Sequence, residues 1–503
     1  MGRWTFYHPV VFLLTFFSYA FFHATRKTFS NVKTTIAAEW TPSPLNNVSA
    51  SCTPYDQWNK RHLFDTKDDA EKFMGILDAS FMFAYAVGLY LSGFIADRHD
   101  LRIVLGSGMC LTAVTVFMFG PVFEWTHFYS KPAYVAVWIL NGLLQSSGWP
   151  SVVAVMGNWF GKGSRGLILG IWSACASVGN IIGALMVTAV LDYGYEYAFM
   201  LTSAVLFAGG LFNYFGLVPS PRDVGLPMPD EGPESQTDEA SSNIQRQPLL
   251  QEGDEEDDGL VSETVIYSIT DTRPKAIGFF RALLLPGVIP YALSYAFLKL
   301  VNYSFFFWLP FYLSGAYGLP ETTADEVSIW YDIGGIIGGT IAGFISDRLQ
   351  KRGIVVVPML ILAVPMLFIY GLAGIAGRVV INCVMLTFVG LMIGGVANLI
   401  SAAISADLGR QKQLQGNSEA LSTVTGIVDG TGSLGAALGQ VAVPYLQVSY
   451  GWRSVFYLFM VTTFLTAVCI APVCVQELRD LGCRCSRSRQ RGAGLATEDD
   501  KDE

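Results

Sequence analysis

A few charges stand inside long apolar stretches, and they are the first residues to question. Tyr19, His23, Arg26 and Lys27 fall within about two turns of one helix, and His23 and Arg26, three apart, can share a face. In the stretch from Tyr291 to Pro310, Lys299 lies near the middle, with Asn302 and Tyr303 three and four residues on. An ionisable side chain in such a place is costly and marks a functional candidate. Arginine offers a planar fork of donors and stays charged, which suits a phosphate. Arg26 and Lys27 have a second reading, as cations that snorkel to the membrane interface. Lys299 is too central for that and is expected to face a cavity, with Asn302 and Tyr303 extending its polar face. Two cations converging without an acid beside them repel. Such a site is expected to welcome an anion of high charge density and to favour exchange, because returning empty is costly.

Four acids also lie in or beside apolar stretches: Asp78, Asp332, Glu419 and Asp429. They can couple protons, pair with Lys299 or hold helices together, and the sequence leaves all three open. Nothing forms a Walker loop or a catalytic triad, so no catalytic residue is expected. The eight cysteines have no metal spacing, and Cys483 and Cys485 are too close together for a zinc knuckle, so neither metal nor cofactor is expected. A basic surface for nucleic acid is absent, the net charge being -9 with most of the excess in one loop.

These residues need elements to hold them. The chain has 503 residues, 15% of them charged, against roughly 25% in a soluble domain, and its mean hydropathy is +0.41. Runs near the roughly 20 residues that span a bilayer as a helix recur along it. The first-half spans are 9–30, 73–94, 102–123, 134–156, 165–190 and 197–218, and those of the second half 286–313, 329–346, 354–375, 379–403, 421–446 and 454–475. Trp149-Pro150 reads as a helix irregularity rather than a ligand contact. The fold class expected is an all-α polytopic membrane protein of twelve helices in two pseudo-symmetric six-helix bundles. The bundles occupy 1–218 and 279–475, an acidic linker lies at 219–278 and a tail at 476–503. The basic residues of the short loops, among them Arg98, Arg102, Lys162, Arg352 and Arg410, fall on one side, which the positive-inside rule makes cytosolic. Both termini and the linker, read as disordered, are then cytosolic. The loop at about 31–72 faces the other side and carries the glycosylation sequon Asn47-Val48-Ser49.

The chain also repeats itself. Gly93-Phe94-Ile95-Ala96-Asp97-Arg98 matches Gly343-Phe344-Ile345-Ser346-Asp347-Arg348, each closing the second span of its half. This G-x-x-x-D-R pattern resembles the signature of the major facilitator superfamily. Asp97 and Asp347 can cap a neighbouring helix start or pair with arginine between bundles, so Asp97, Arg98, Asp347 and Arg348 are candidates for gating between inward-open and outward-open states.

Further blocks narrow the resemblance. They are His23-Ala-Thr-Arg26-Lys27-Thr-Phe29-Ser-Asn31, Asn141-Gly-Leu-Leu-Gln145-Ser-Ser-Gly148-Trp149-Pro150, Gly157-Asn-Trp159-Phe160, Lys299-Leu-Val-Asn302-Tyr303, Thr423-Val-Thr-Gly426-Ile-Val-Asp429-Gly430 and Gly451-Trp452-Arg453. With these the chain resembles the organophosphate:phosphate antiporter family over nearly its whole length. The resemblance implies that cations from the first and seventh helices bind the phosphoryl group. Arg26 matches the first. The second is arginine in bacterial members and Lys299 here, and their histidine of the fifth helix is replaced by Ala176. The implied function is exchange of an organic phosphate or phosphonate-type anion for inorganic phosphate by alternating access. The alternatives are a uniporter or proton-coupled polyanion carrier needing a partner subunit, or a non-transporting receptor. The partners expected are the phosphate-bearing substrate, inorganic phosphate, membrane lipid and an accessory membrane glycoprotein, in the endoplasmic reticulum or lysosome.

Overall fold

In a bilayer the backbone finds no hydrogen-bond partner but itself, so an apolar span closes its own bonds as a helix. The computed structural model describes residues 5–42, 63–160, 165–228, 278–349, 351–372, 378–409 and 421–496, and no strand occurs among them. The first half contains α1 (Tyr7–Asn31), α2 (Lys33–Glu39), α3 (Lys67–Ala96), α4 (Leu101–Phe117), α5 (Lys131–Gln145), α6 (Gly148–Trp159), α7 (Arg165–Trp172), α8 (Cys175–Val190) and α9 (Tyr195–Gly216). The second contains α10 (Val288–Tyr317), α11 (Glu321–Leu349), α12 (Gly353–Leu372), α13 (Val379–Asn398), α14 (Leu421–Tyr450) and α15 (Trp452–Ala496).

Local chemistry sets the ends. Thr66 accepts a hydrogen bond from the Asp69 amide and caps α3, with Asp68 and Asp69 in its first turn, so the helix begins before the expected residue 73. Asp100 caps α4 in the same way. α10 runs between two left-handed glycines, Gly287 at φ 85° and Gly318 at φ 67°. The span expected at 134–156 is broken between α5 and α6. Pro150 has no amide to offer the Ser146 carbonyl, which accepts from Ser92 Oγ at 2.8 Å instead. α15 continues well past the expected end at 475.

Ten helices among the described residues are long and apolar enough to cross a membrane, where twelve are expected from the sequence. The two shortfalls have physical causes. α5 and α6 are each too short alone. α14 is long enough, but Thr423, Thr425, Asp429, Thr431, Ser433 and Gln440 dilute its hydropathy.

The two halves meet where α3 and α6 lie against α14, α11 against α7 and α8, and α1 against α10. Glycine permits the closest approach. A Cβ on Gly93 would meet the Ser422 carbonyl oxygen at 2.6 Å, and one on Gly426 would meet that of Leu89 at 2.5 Å. The repeat is visible in burial as well, since 91–98 and 341–348 show the same order of buried and exposed positions. Asn47, Lys162, Glu419 and Arg410 lie outside the described residues, as does most of the linker. Its first residues form a 3-10 turn, Pro221–Val224, with a capping box between Ser220 and Asp223.

Candidate functional site

Arg26 and Lys299 are both 1% exposed, and α1 and α10 bring them to the same two aromatic rings. Gln145 Oε1 accepts from Arg26 Nε at 3.2 Å and Nη2 at 3.1 Å, and the Tyr303 hydroxyl accepts from Nη1 at 2.9 Å. The guanidinium carbon stands 4.6 Å from the Tyr85 ring centre. Lys299 Nζ lies 4.9 Å from the Tyr303 ring and 5.5 Å from the Tyr85 ring. Rings hold the two charges by cation–π attraction while separating them. Neither Arg26 nor Lys27 snorkels, because Lys27 is also buried, at 3% exposure.

The expectation of two cations without a nearby acid is corrected. Lys299 Nζ donates to Asp429 Oδ1 at 2.6 Å and to Ser433 Oγ at 2.8 Å, both on α14. A buried ammonium left alone is costly, and a carboxylate from the adjacent helix offsets that cost. Pairing with Lys299 was one of the three roles open to Asp429. Which helix faces which is not written in residue spacing.

The polar face of α10 also divides. At 3.6 residues per turn, the third and fourth residues after Lys299 fall on opposite shoulders of it. Tyr303 stays with Arg26. Asn302 turns towards α11 and accepts from the Tyr331 hydroxyl at 2.6 Å. With His23, Lys27, Ala176, Asn180 and Asp332 it lines a cavity that the Tyr303 ring also reaches. Across that cavity His23 Nδ1 bonds Asn180 Oδ1 at 2.9 Å, and Asn180 Nδ2 donates to Asp332 Oδ1 at 2.6 Å. Tyr19 joins the two neighbourhoods, its hydroxyl 3.4 Å from that of Tyr85 and its ring 4.9 Å from His23. The position where the resemblance implies a histidine, Ala176, thus lines the cavity, and His23 supplies an imidazole from α1.

Proline shapes the contact at the α1 end. Pro310 cannot donate to the Phe306 carbonyl. That oxygen accepts from Lys27 Nζ at 2.9 Å and Ser30 Oγ at 2.9 Å, and the Phe307 carbonyl accepts from Lys33 Nζ at 3.1 Å. Lys33 also forms a buried ion pair with Asp78 on α3.

At the opposite end, Asp97 accepts from the Ser422 amide at 3.2 Å, the Thr423 amide at 2.9 Å and the Thr423 hydroxyl at 2.6 Å, capping α14. Burial pushes the Asp97 carboxyl up, and the bonds from Thr423 and Ser422 offset part of that rise. Asp347 instead pairs with Arg352 at 2.9 Å, and Arg352 reaches Asp407 at 2.9 Å. Both uses considered for this aspartate are present among the described residues, a cap at Asp97 and an ion pair at Asp347 with Arg352 of the same half. Arg98 and Arg348 are exposed, and each folds over the phenylalanine four residues before it, Phe94 and Phe344.

Sequence reasoning missed Lys33, Tyr85, Asn180 and Ser433. Lys33 has a signal, a lysine six residues after Lys27 at the rim of an apolar span, but it falls within the loop expected at about 31–72. The other three are ordinary residue types whose roles come only from their neighbours.

Comparison with known proteins gives the same architecture. The Major Facilitator Superfamily model matches residues 12–418. Sugar phosphate exchanger 3 of Gallus gallus is 54% identical over 475 residues, which cover 94% of this chain and 93% of that protein. A putative glycerol-3-phosphate transporter 1 of Arabidopsis thaliana is 38% identical over 482 residues, covering 94% and 89%. The solved proton:xylose symporter XylE superposes with a TM-score of 0.61 over 93% of this chain and 96% of its own at 13% identity, a likeness of fold alone. The chain therefore belongs to the Major Facilitator Superfamily, and, by its identity over nearly their whole length, to the family of the sugar phosphate exchangers within it.

Proposed function

We propose that this protein is a secondary antiporter, exchanging an organic phosphate or phosphonate-type anion for inorganic phosphate by alternating access. The observation that carries the reading is the convergence of Arg26 and Lys299 on Tyr85 and Tyr303, where the halves meet. The chain's similarity to a sugar phosphate exchanger and to a putative glycerol-3-phosphate transporter supports it. In this reading Arg26 and Lys299 bind the phosphoryl group, and Tyr19, His23, Lys27, Asn302 and Tyr303 line the path of the rest of the substrate. The chain forms twelve spans in two six-helix bundles, with α5–α6 and α7–α8 each one span and α14 another, although α14 is too polar to stand out by hydropathy. The bundles rock about the site. Asp97 and Arg98, with Asp347 and Arg348, belong to the gate at the cytosolic end.

In the same reading both termini are cytosolic and Asn47 is luminal and glycosylated, within the endoplasmic reticulum or lysosome. The basic residues of the short loops support that orientation. An accessory membrane glycoprotein is a candidate partner. Glycosidase treatment that shifts the wild type but not Asn47→Gln would support that side assignment, and equal mobility of the two would oppose it.

A second reading, a proton-coupled polyanion carrier, is favoured by the chain of hydrogen bonds from His23 through Asn180 to Asp332. Purified protein in liposomes separates the two. Labelled phosphate uptake that needs internal phosphate and ignores a proton gradient supports antiport. Uptake into anion-free vesicles driven by the gradient supports the carrier.

A further inference from the structure

The exchange reading leaves one feature of the site unused. Asp429 is buried, at 3% exposure, and only one of its carboxylate oxygens is committed. Oδ1 holds Lys299, while Oδ2 has no hydrogen-bond partner among the described residues. An ionised carboxylate oxygen that is buried without a donor is costly, and a donor from water or from a ligand offsets that cost. The groups around it are the hydroxyls of Tyr19, Tyr85, Tyr90 and Tyr295, with which Asp429 interacts electrostatically, and Lys299, which shares the Tyr85 and Tyr303 rings with Arg26. None of these supplies a hydrogen bond to Oδ2.

We propose that Asp429 is a specificity-determining residue, whose free carboxylate oxygen accepts a hydrogen bond from the P–OH of a phosphoryl group that still carries a proton. The inference rests on the antiport reading for the identity of the site. The charges agree with it. Arg26 and Lys299 supply two positive charges and Asp429 removes one, so the cluster matches a monoanion. The hydrogen bonds agree as well. Lys299 directs its donors at Asp429 and Ser433 on α14, so an incoming anion meets the lysine and the carboxylate as a unit. A protonated phosphate or phosphate monoester offers oxygens to Arg26 and a hydroxyl to Oδ2. Sulfate has the same shape but no proton at neutral pH, so it brings a second negative charge and only acceptors against that oxygen. A site built to hydrogen-bond a hydroxyl rejects the analogue that lacks one by a large factor. No covalent step is involved, and the proton stays on the phosphoryl group.

The test is binding of inorganic phosphate, arsenate and sulfate to the purified full-length protein, read as the shift in unfolding temperature across a titration. Arsenate retains a proton as phosphate does and is expected to bind like it. Sulfate is expected to bind at least about 100-fold more weakly to the wild type. In Asp429→Asn, whose amide can donate, that ratio is expected to fall below about tenfold. Asp429→Glu keeps the acceptor and is expected to keep the discrimination. Wild-type protein that binds sulfate within tenfold of phosphate, or that binds none of the three, overturns the proposal, and that arm stands even where the Asn variant fails to fold. An Asn variant that folds and still excludes sulfate overturns it too. Discrimination in binding without any phosphate exchange in liposomes supports the role of Asp429 and overturns the antiport reading instead.

Discussion

At the scale of single residues, Arg26 is held by geometry that only a guanidinium provides. Gln145 accepts from two of its nitrogens and Tyr303 from the third. Lysine keeps the charge but cannot form that fork. Arg26→Lys is therefore expected to lose phosphate exchange by at least about tenfold, with the protein still folded, as counterflow in liposomes would show. A rate near wild type would mean that charge alone suffices. Lys33 poses a different question. It is buried with Asp78, and removing one partner strands the other. Lys33→Ala is expected to destabilise the protein by about 3–5 kcal/mol, whereas Lys33→Met with Asp78→Leu recovers most of that loss. Thermal unfolding of the purified variants checks both, and a double variant no better than the single would contradict the account. These two cations show what the sequence could and could not display. Arg26 and Lys299 were legible because charge inside an apolar run is conspicuous. Asp429 was visible as an acid but not as the partner of Lys299, because pairing across helices depends on their rotation and packing. Lys33 was hidden by its place at a loop boundary.

At the scale of elements, two devices tie the halves together, and both follow from residues that lack something. Pro310 lacks an amide and so frees the Phe306 carbonyl for Lys27 and Ser30. Pro310→Ala restores the donor, and the expected result is a weaker hold of α1 on α10. A cysteine placed on α10 near Phe306 should then be labelled faster from the side of the loop at 31–72, and unchanged labelling would count against this contact as a gate. Gly93 lacks a side chain, which lets α3 lie against α14. Gly93→Val puts a Cβ 2.6 Å from the Ser422 oxygen and must separate the two helices. The Asp97 cap on Ser422 and Thr423 is lost with that separation, so reagents should reach the centre from the Asp97 end, and failure to do so would contradict the close seam. The span positions were largely legible because hydropathy reports them. The break at Ser146 and Ser147 was foreshadowed by Pro150. The early start of α3 was not, because a Thr66 cap adds polar residues that hydropathy leaves out.

At the scale of the whole molecule, the duplicated motif from Gly93 to Arg98 and from Gly343 to Arg348 points to two related halves, and the chain has the Major Facilitator Superfamily fold. The sequence could not show which partners the repeated residues take. Asp97 caps a helix of the other half, and Asp347 pairs with Arg352. The central cluster holds unlike cations, with Arg26 bound to neutral partners and Lys299 to an acid. In the proposed site those unlike cations act together on one anion. Labelled phosphate exchange into phosphate-loaded liposomes, with wild type, Arg26→Ala and Lys299→Ala reconstituted at equal density, tests this most directly. Loss of exchange in both variants, each by at least about 100-fold, is the result expected. Exchange that survives in either variant while the wild type is active would contradict a shared site between the two halves.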